Sequence, residues 1–126
     1  MSRPMNRRQL LEELKRLLNS PSVAVRKGRL RREHGLSVYD RDKNTNELID
    51  IKITIDPRNA AKVTVMIHEL LHIYLAQKHN IDFLFSTPIE EAIVTGLAED
   101  LGEYLHNPEN ESLFHSWVRA VEAKLA

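Results

Sequence analysis

Three residues in the middle of the chain have the types and the spacing to hold a metal ion and to use it. They stand in the run His68-Glu69-Leu70-Leu71-His72. Four residues advance an α-helix by about 6 Å and return nearly to the same face, so imidazoles at this spacing converge on one ion at about 2.0–2.1 Å. Glu69, one residue along, falls beside such an ion, where it suits a general base taking a proton from a metal-activated water. Between Val63 and Ala76 the strongly polar residues are Thr64, His68, Glu69 and His72, with apolar side chains in nearly every other direction. That texture predicts a central, buried helix. Two imidazoles and a carboxylate in such a helix cost several kcal/mol unless something satisfies them, and a metal ion does so directly. The chain contains no cysteine, so disulfides, thiolate sites and cysteine nucleophiles are excluded and any metal must sit on His, Asp or Glu.

The elements that must position these residues can be read outward from the motif. Residues 5–19 place Leu10, Leu11, Leu14, Leu17 and Leu18 at three-and-four spacing, which predicts an amphipathic helix stopped by Asn19-Ser20-Pro21. From Val23 to Ile55 the texture is β. Ile49, Ile51, Ile53 and Ile55 alternate with Asp50, Lys52 and Thr54 as in a half-buried strand, and shorter strands are expected around 23–30 and 35–40. The Asp40 to Glu47 segment reads as a hairpin loop rather than a calcium loop, because Thr45 stands where the turn glycine is required and Ile51 where the bidentate glutamate is. Asp56-Pro57 predicts an N-cap and a first helical proline for a helix running to about His79. Thr87-Pro88-Ile89-Glu90 reads as a capping box opening a helix to about His106. A last helix, about 110–125, presents Leu113, Phe114, Trp117, Val121 and Leu125 as its packing stripe, which makes Trp117 a core residue. With no repeat and no linker, one small α+β domain over residues 1–126 is expected: N-terminal helix, three-stranded sheet, motif helix, a helix opened by glutamates, and a C-terminal helix.

The His-Glu-x-x-His run resembles the signature of the zincin metallopeptidases, and the resemblance extends over about residues 48–105. It implies a zinc ion held by His68 and His72, a third protein ligand, and Glu69 as catalytic base. In the zincin setting the strand ending at Ile55 would form the upper rim of the substrate cleft. The metzincin subclass requires a glycine and a further histidine where this chain has Leu75 and Lys78. His79 lies seven residues past His72, about 10 Å along an unbroken helix, and is out of reach of the same ion. The gluzincin pattern implies a glutamate on the next helix, nineteen positions after the second histidine and followed by a small residue; Glu91 and Ala92 match it. Glu90, as the fourth residue of the capping box, is the alternative ligand, and on a helical wheel it points into the stripe of Ile89, Ile93, Leu97 and Leu101, with Glu91 at the edge beside Ala98. Thr95, one turn beyond Glu91, is placed to hydrogen-bond a ligand from behind. The order of elements is also similar to minimal gluzincins and ImmA/IrrE-type peptidases, which commonly carry a glycine where this chain has Leu71. Candidates for a second electrophile are Tyr74, Tyr104, His106 and His115.

Composition allows this chemistry and limits the partners. The formal net charge is zero, yet residues 1–60 carry 14 Lys/Arg against 8 Asp/Glu and residues 61–126 carry 4 against 10. Arg26, Lys27, Arg29, Arg31 and Arg32 are the densest basic cluster, read as a solvated face in the absence of any nucleic-acid motif. The expected partner is a peptide or protein substrate. The rival reading is a non-catalytic zinc-binding module that uses its basic half on nucleic acid or an acidic protein. No apolar run is long enough to span a membrane, so a cytoplasmic protein is expected.

Overall fold

Asn6 starts the first helix, α1 (Arg7–Asn19): its side chain accepts the Gln9 N–H while the Gln9 side chain accepts the Asn6 N–H, satisfying two amide donors reciprocally. The helix buries Leu11, Leu14 and Leu18 and stops at Asn19, where Pro21 makes further helix unfavourable. The computed structural model describes residues 5–58 and 61–126, and the architecture is α+β. After α1 come β1 (Val23–Lys27), β2 (Gly35–Arg41) and β3 (Leu48–Ile55), then α2 (Lys62–His79), the short α3 (Ile81–Leu84), α4 (Thr87–His106) and α5 (Glu111–Leu125), the last entered through a 3-10 turn at Pro108–Asn110.

The sheet has the order β1-β3-β2, with β1 parallel and β2 antiparallel to β3. The isoleucine strand is therefore the central one, and β2 is an edge. Its alternation holds at Ile51, Ile53 and Ile55 but fails at both neighbours: Ile49 is 40% exposed and Thr54 only 7%. The cause at Ile49 is a register shift between Val38 and Asp40, opposite Asp50 in a left-handed conformation at φ 53°. One extra residue flips the side-chain alternation beyond it, which turns Ile49 outward. The loop between β2 and β3 is a turn organised by Asp42, whose carboxylate accepts the Asn44 and Thr45 amides, in keeping with the hairpin reading.

Helix α2 runs through the centre, touching α1, α4, α5, β2 and β3. It buries Met66, Ile67, Leu70, Leu71, Ile73 and Ala76 together with Glu69, as the motif's apolar surroundings predict. It ends at His79 through Asn80, left-handed at φ 51°, a residue that tolerates this helix-stop conformation. Its start differs from the sequence expectation. Asp56 caps no helix, because its carboxylate accepts the amides of Leu30 and Arg58 and the Arg58 guanidinium. The Arg58 side chain foremost, then these two amides, hold the Asp56 carboxyl far below the ordinary aspartate range. The helix opens at Lys62 instead; the expected helical residues 59 and 60 lie outside the described ones.

The core is one continuous cluster in which Trp117, Val121 and Leu125 of α5 meet α1 and α2, so Trp117 is a core residue. Among the described residues no helix is long and apolar enough to cross a membrane.

Candidate metal centre

The motif residues face α4 across a cleft. On α4 the buried stripe is Val94, Ala98, Leu101 and Leu105; of the expected line through Ile89, Ile93, Leu97 and Leu101 only Leu101 belongs to it. Val94 lies three and four residues after Glu91 and Glu90, so the first turn of this stripe carries both carboxylates toward α2.

Three donors converge there. His68 Nε2 lies 2.6 Å from Glu91 Oε1, and His72 Nε2 lies 2.9 Å from Glu91 Oε2. The rings of His68 and His72 stand edge to face with centroids 5.1 Å apart. One ligand atom from each of His68, His72 and Glu91 falls within 4.8 Å of the others. Two imidazole nitrogens and one carboxylate oxygen are a donor set that suits a divalent metal with an open coordination position.

Glu90 has a different place from the one its sequence suggests. The N-cap of α4 is Ser86, with no side-chain capping bond, and Thr87 is already helical. Glu90 is thus one position too far along to close a capping box, and its Oε2 lies 2.6 Å from His72 Nδ1. A metal-ligating histidine commonly engages a carboxylate through its other ring nitrogen, which fixes ring orientation. Glu90 meets that description and Glu91 shares the Nε2 side with both imidazoles. Thr95 does not take the expected supporting place: no hydrogen bond from it to Glu91 or to either imidazole is present among the described residues.

Glu69 sits under the cleft, 6% exposed. Burial pushes its carboxyl above the ordinary range; His68, the Ser37 hydroxyl and His72 pull it back, and Glu91 pushes it up again. Its cover is β2, and the close approach requires glycine. A Cβ on Gly35 would lie 2.7 Å from Val65 Cγ1, 3.0 Å from Glu69 Cγ and 3.1 Å from Glu69 Oε2. Val65 is β-branched and has few alternative rotamers. Gly35→Ala is therefore expected to displace the Glu69 side chain while leaving His68, His72 and Glu91 in place. The measurement is denaturant unfolding beside divalent-metal binding, with metal affinity unchanged and stability lowered by about 1–3 kcal/mol, the usual cost of overpacking a filled site.

The cleft encloses about 730 Å³ and is lined by β2, by the residues just before it, by α2 and by the start of α4. Its rim is the edge strand β2; the strand ending at Ile55, expected as the rim, lies behind it in the centre of the sheet. The four candidate electrophiles are elsewhere. Tyr74 donates to Met5 Sδ at 3.8 Å, His106 Nδ1 contacts the Gly102 carbonyl at 2.7 Å, and His115 faces Glu111 at 3.5 Å. Tyr104 does not line the cleft either. The cleft presents Tyr39 and His34 instead, two residues without a recognisable motif, brought there only by the pairing of β2 with β3. Burial, and after it the charge of Asp82, raise the Tyr39 phenol far above its ordinary range, so it stays a hydrogen-bond donor. Asp82 is in turn held by Arg41 at 2.7 Å.

No protein-family model, curated protein or solved structure matches this chain.

Proposed function

We propose that the chain is a zinc-dependent peptidase of gluzincin type, in which His68, His72 and Glu91 hold the metal and Glu69 is the general base. The observation that carries the reading is the convergence of His68 Nε2, His72 Nε2 and the Glu91 carboxylate on one point, beside a buried carboxylate one residue from the first ligand. When bound, zinc supplies Lewis acidity, making a water molecule acidic enough to lose a proton near neutral pH and polarising a scissile carbonyl.

The remaining steps belong to the chain's own groups. Glu69 accepts the proton of the attacking water on a carboxylate oxygen and later delivers it to the leaving amine nitrogen. Its burial favours the protonated form needed between these two transfers, while His68 and the Ser37 hydroxyl favour the ionised form that takes the proton up. Glu90 accepts the Nδ1 proton of His72, leaving the Nε2 lone pair turned toward Glu91 and His68. Strand β2, closing over Glu69 at Gly35, limits water around the reacting groups. The substrate in this reading is a peptide or an unfolded protein segment narrow enough for the cleft.

Removal of the metal tests the reading at once. Cleavage of a peptide library is expected to stop on chelation and to return with added zinc. Cleavage undiminished in the stripped protein would contradict it, and a protein that binds zinc at full occupancy yet cleaves nothing would be a binding module.

A further inference from the structure

The connection from β1 to β2 is built into a second cavity of about 530 Å³, lined by Arg31, Arg32, Glu33 and His34 together with Asp56 and Arg58. It adjoins the metal cleft, since Arg32, Glu33 and His34 line both. The connection is clamped: Asp56 Oδ2 accepts the Leu30 amide at 3.1 Å, and Arg58 Nη2 donates to Asp56 at 2.6 Å and to the Leu30 carbonyl at 3.0 Å. Asp56 and Arg58 thereby neutralise one another. Arg31 and Arg32 have no ion-pair partner among the described residues, and Glu33 offsets only one of them. The cavity thus carries one net positive charge, while the metal end of the cleft carries the carboxylates of Glu69, Glu90 and Glu91.

We propose that this basic end of the cleft is a subsite for a carboxylate group of the bound peptide, from an acidic side chain or from the chain's own C-terminus. The inference rests on the peptidase reading for its occupant. Arg32 lines both this pocket and the metal cleft that Gly35 and Glu69 also line, so the carboxylate would lie within a few residues of the cleaved bond. An exposed guanidinium with no ion-pair partner among the described residues, lining a pocket of this size, offers a carboxylate a charge-assisted hydrogen bond. A nucleic acid is disfavoured because its backbone would have to pass the three carboxylates next door, and of the basic cluster at Arg26, Lys27, Arg29, Arg31 and Arg32 only the last two line the pocket.

The test is binding by the zinc-loaded Glu69→Gln protein, measured by fluorescence anisotropy with fluorescent peptides of one sequence. The set carries Asp or Asn at each position in turn, with free or amidated C-terminus. The carboxylate form is expected to bind about five- to tenfold tighter than its amide, with the difference narrowing as salt is added. Dependence on Asp over Asn identifies a side chain; dependence on the free terminus identifies a C-terminal subsite. The difference should vanish in Arg31→Ala/Arg32→Ala, with zinc content unchanged, and return in part in Arg32→Lys. Equal affinities of acid and amide peptides, discrimination that survives the double variant, or no peptide binding would overturn the proposal. So would an oligonucleotide that binds through the same arginines and displaces every acidic peptide. Cleavage by the wild type without carboxylate dependence defeats this proposal alone, whereas carboxylate-dependent binding without any cleavage defeats the peptidase reading alone.

Discussion

Glu91→Ala protein is expected to purify without zinc, while Glu90→Ala protein keeps the metal at reduced affinity. The difference follows from which nitrogen each carboxylate meets. Glu91 lies on the Nε2 side of both imidazoles, at 2.6 Å and 2.9 Å, so in the proposed site its loss removes a ligand and leaves two histidines, too few for a stable site. Glu90 lies on the Nδ1 side of His72 at 2.6 Å. Its loss frees the ring to turn and lowers the basicity of the ligating nitrogen, an effect of roughly 10- to 100-fold in metal affinity. Elemental analysis of the two variants beside the wild type, followed by competition with a zinc chelator, reads both outcomes. Equal zinc content in wild type and Glu91→Ala would remove Glu91 from the ligand set, and loss of zinc only in Glu90→Ala would exchange the two roles.

Glu69→Gln is expected to retain full zinc occupancy and to lose roughly 10²- to 10⁴-fold in turnover, the range for removing a positioned general base. Glutamine keeps the shape of the side chain beneath Gly35, where space is short, so the variant should fold and melt close to the wild type. A neutral amide also suits a site whose burial already disfavours a charge. The expected pattern is thus intact metal and structure with lost chemistry. In the proposed mechanism the group acts on the reacting water, so turnover should fall far more than peptide affinity.

How far the sequence anticipates this site depends on how local each signal is. His68, Glu69 and His72 are legible because helical spacing alone places them, and the helix around them is apolar enough to be recognised as buried. Glu91 is reached only through the resemblance, but the structure brings it to the same point. Glu90 departs from its local signal because Thr87-Pro88-Ile89-Glu90 has the form of a capping box, yet the N-cap is Ser86, one residue before Thr87, and that shift frees the carboxylate for His72. Asp56 departs from its local signal for a similar reason. Its capping chemistry is real, but it is directed at Leu30, twenty-six residues away, a partner that no local pattern reveals. Three strands could be counted from alternation, yet their order could not, since the parallel pairing of β1 with β3 is non-local. Tyr39 and His34 carry no local signal, because only that strand order makes β2 an edge and sets these residues along the cleft.

The measurement closest to the central claim is digestion of a synthetic peptide library in H₂¹⁸O by zinc-loaded wild type and zinc-loaded Glu69→Gln, with products identified by mass spectrometry. Hydrolysis places one oxygen from solvent on each new C-terminal carboxylate. The account predicts ¹⁸O-labelled new termini with the wild type, none on chelation, and only traces with Glu69→Gln at the same zinc content. Absence of labelled products from wild-type protein carrying one zinc per chain, or equal labelling by the two proteins, would contradict it.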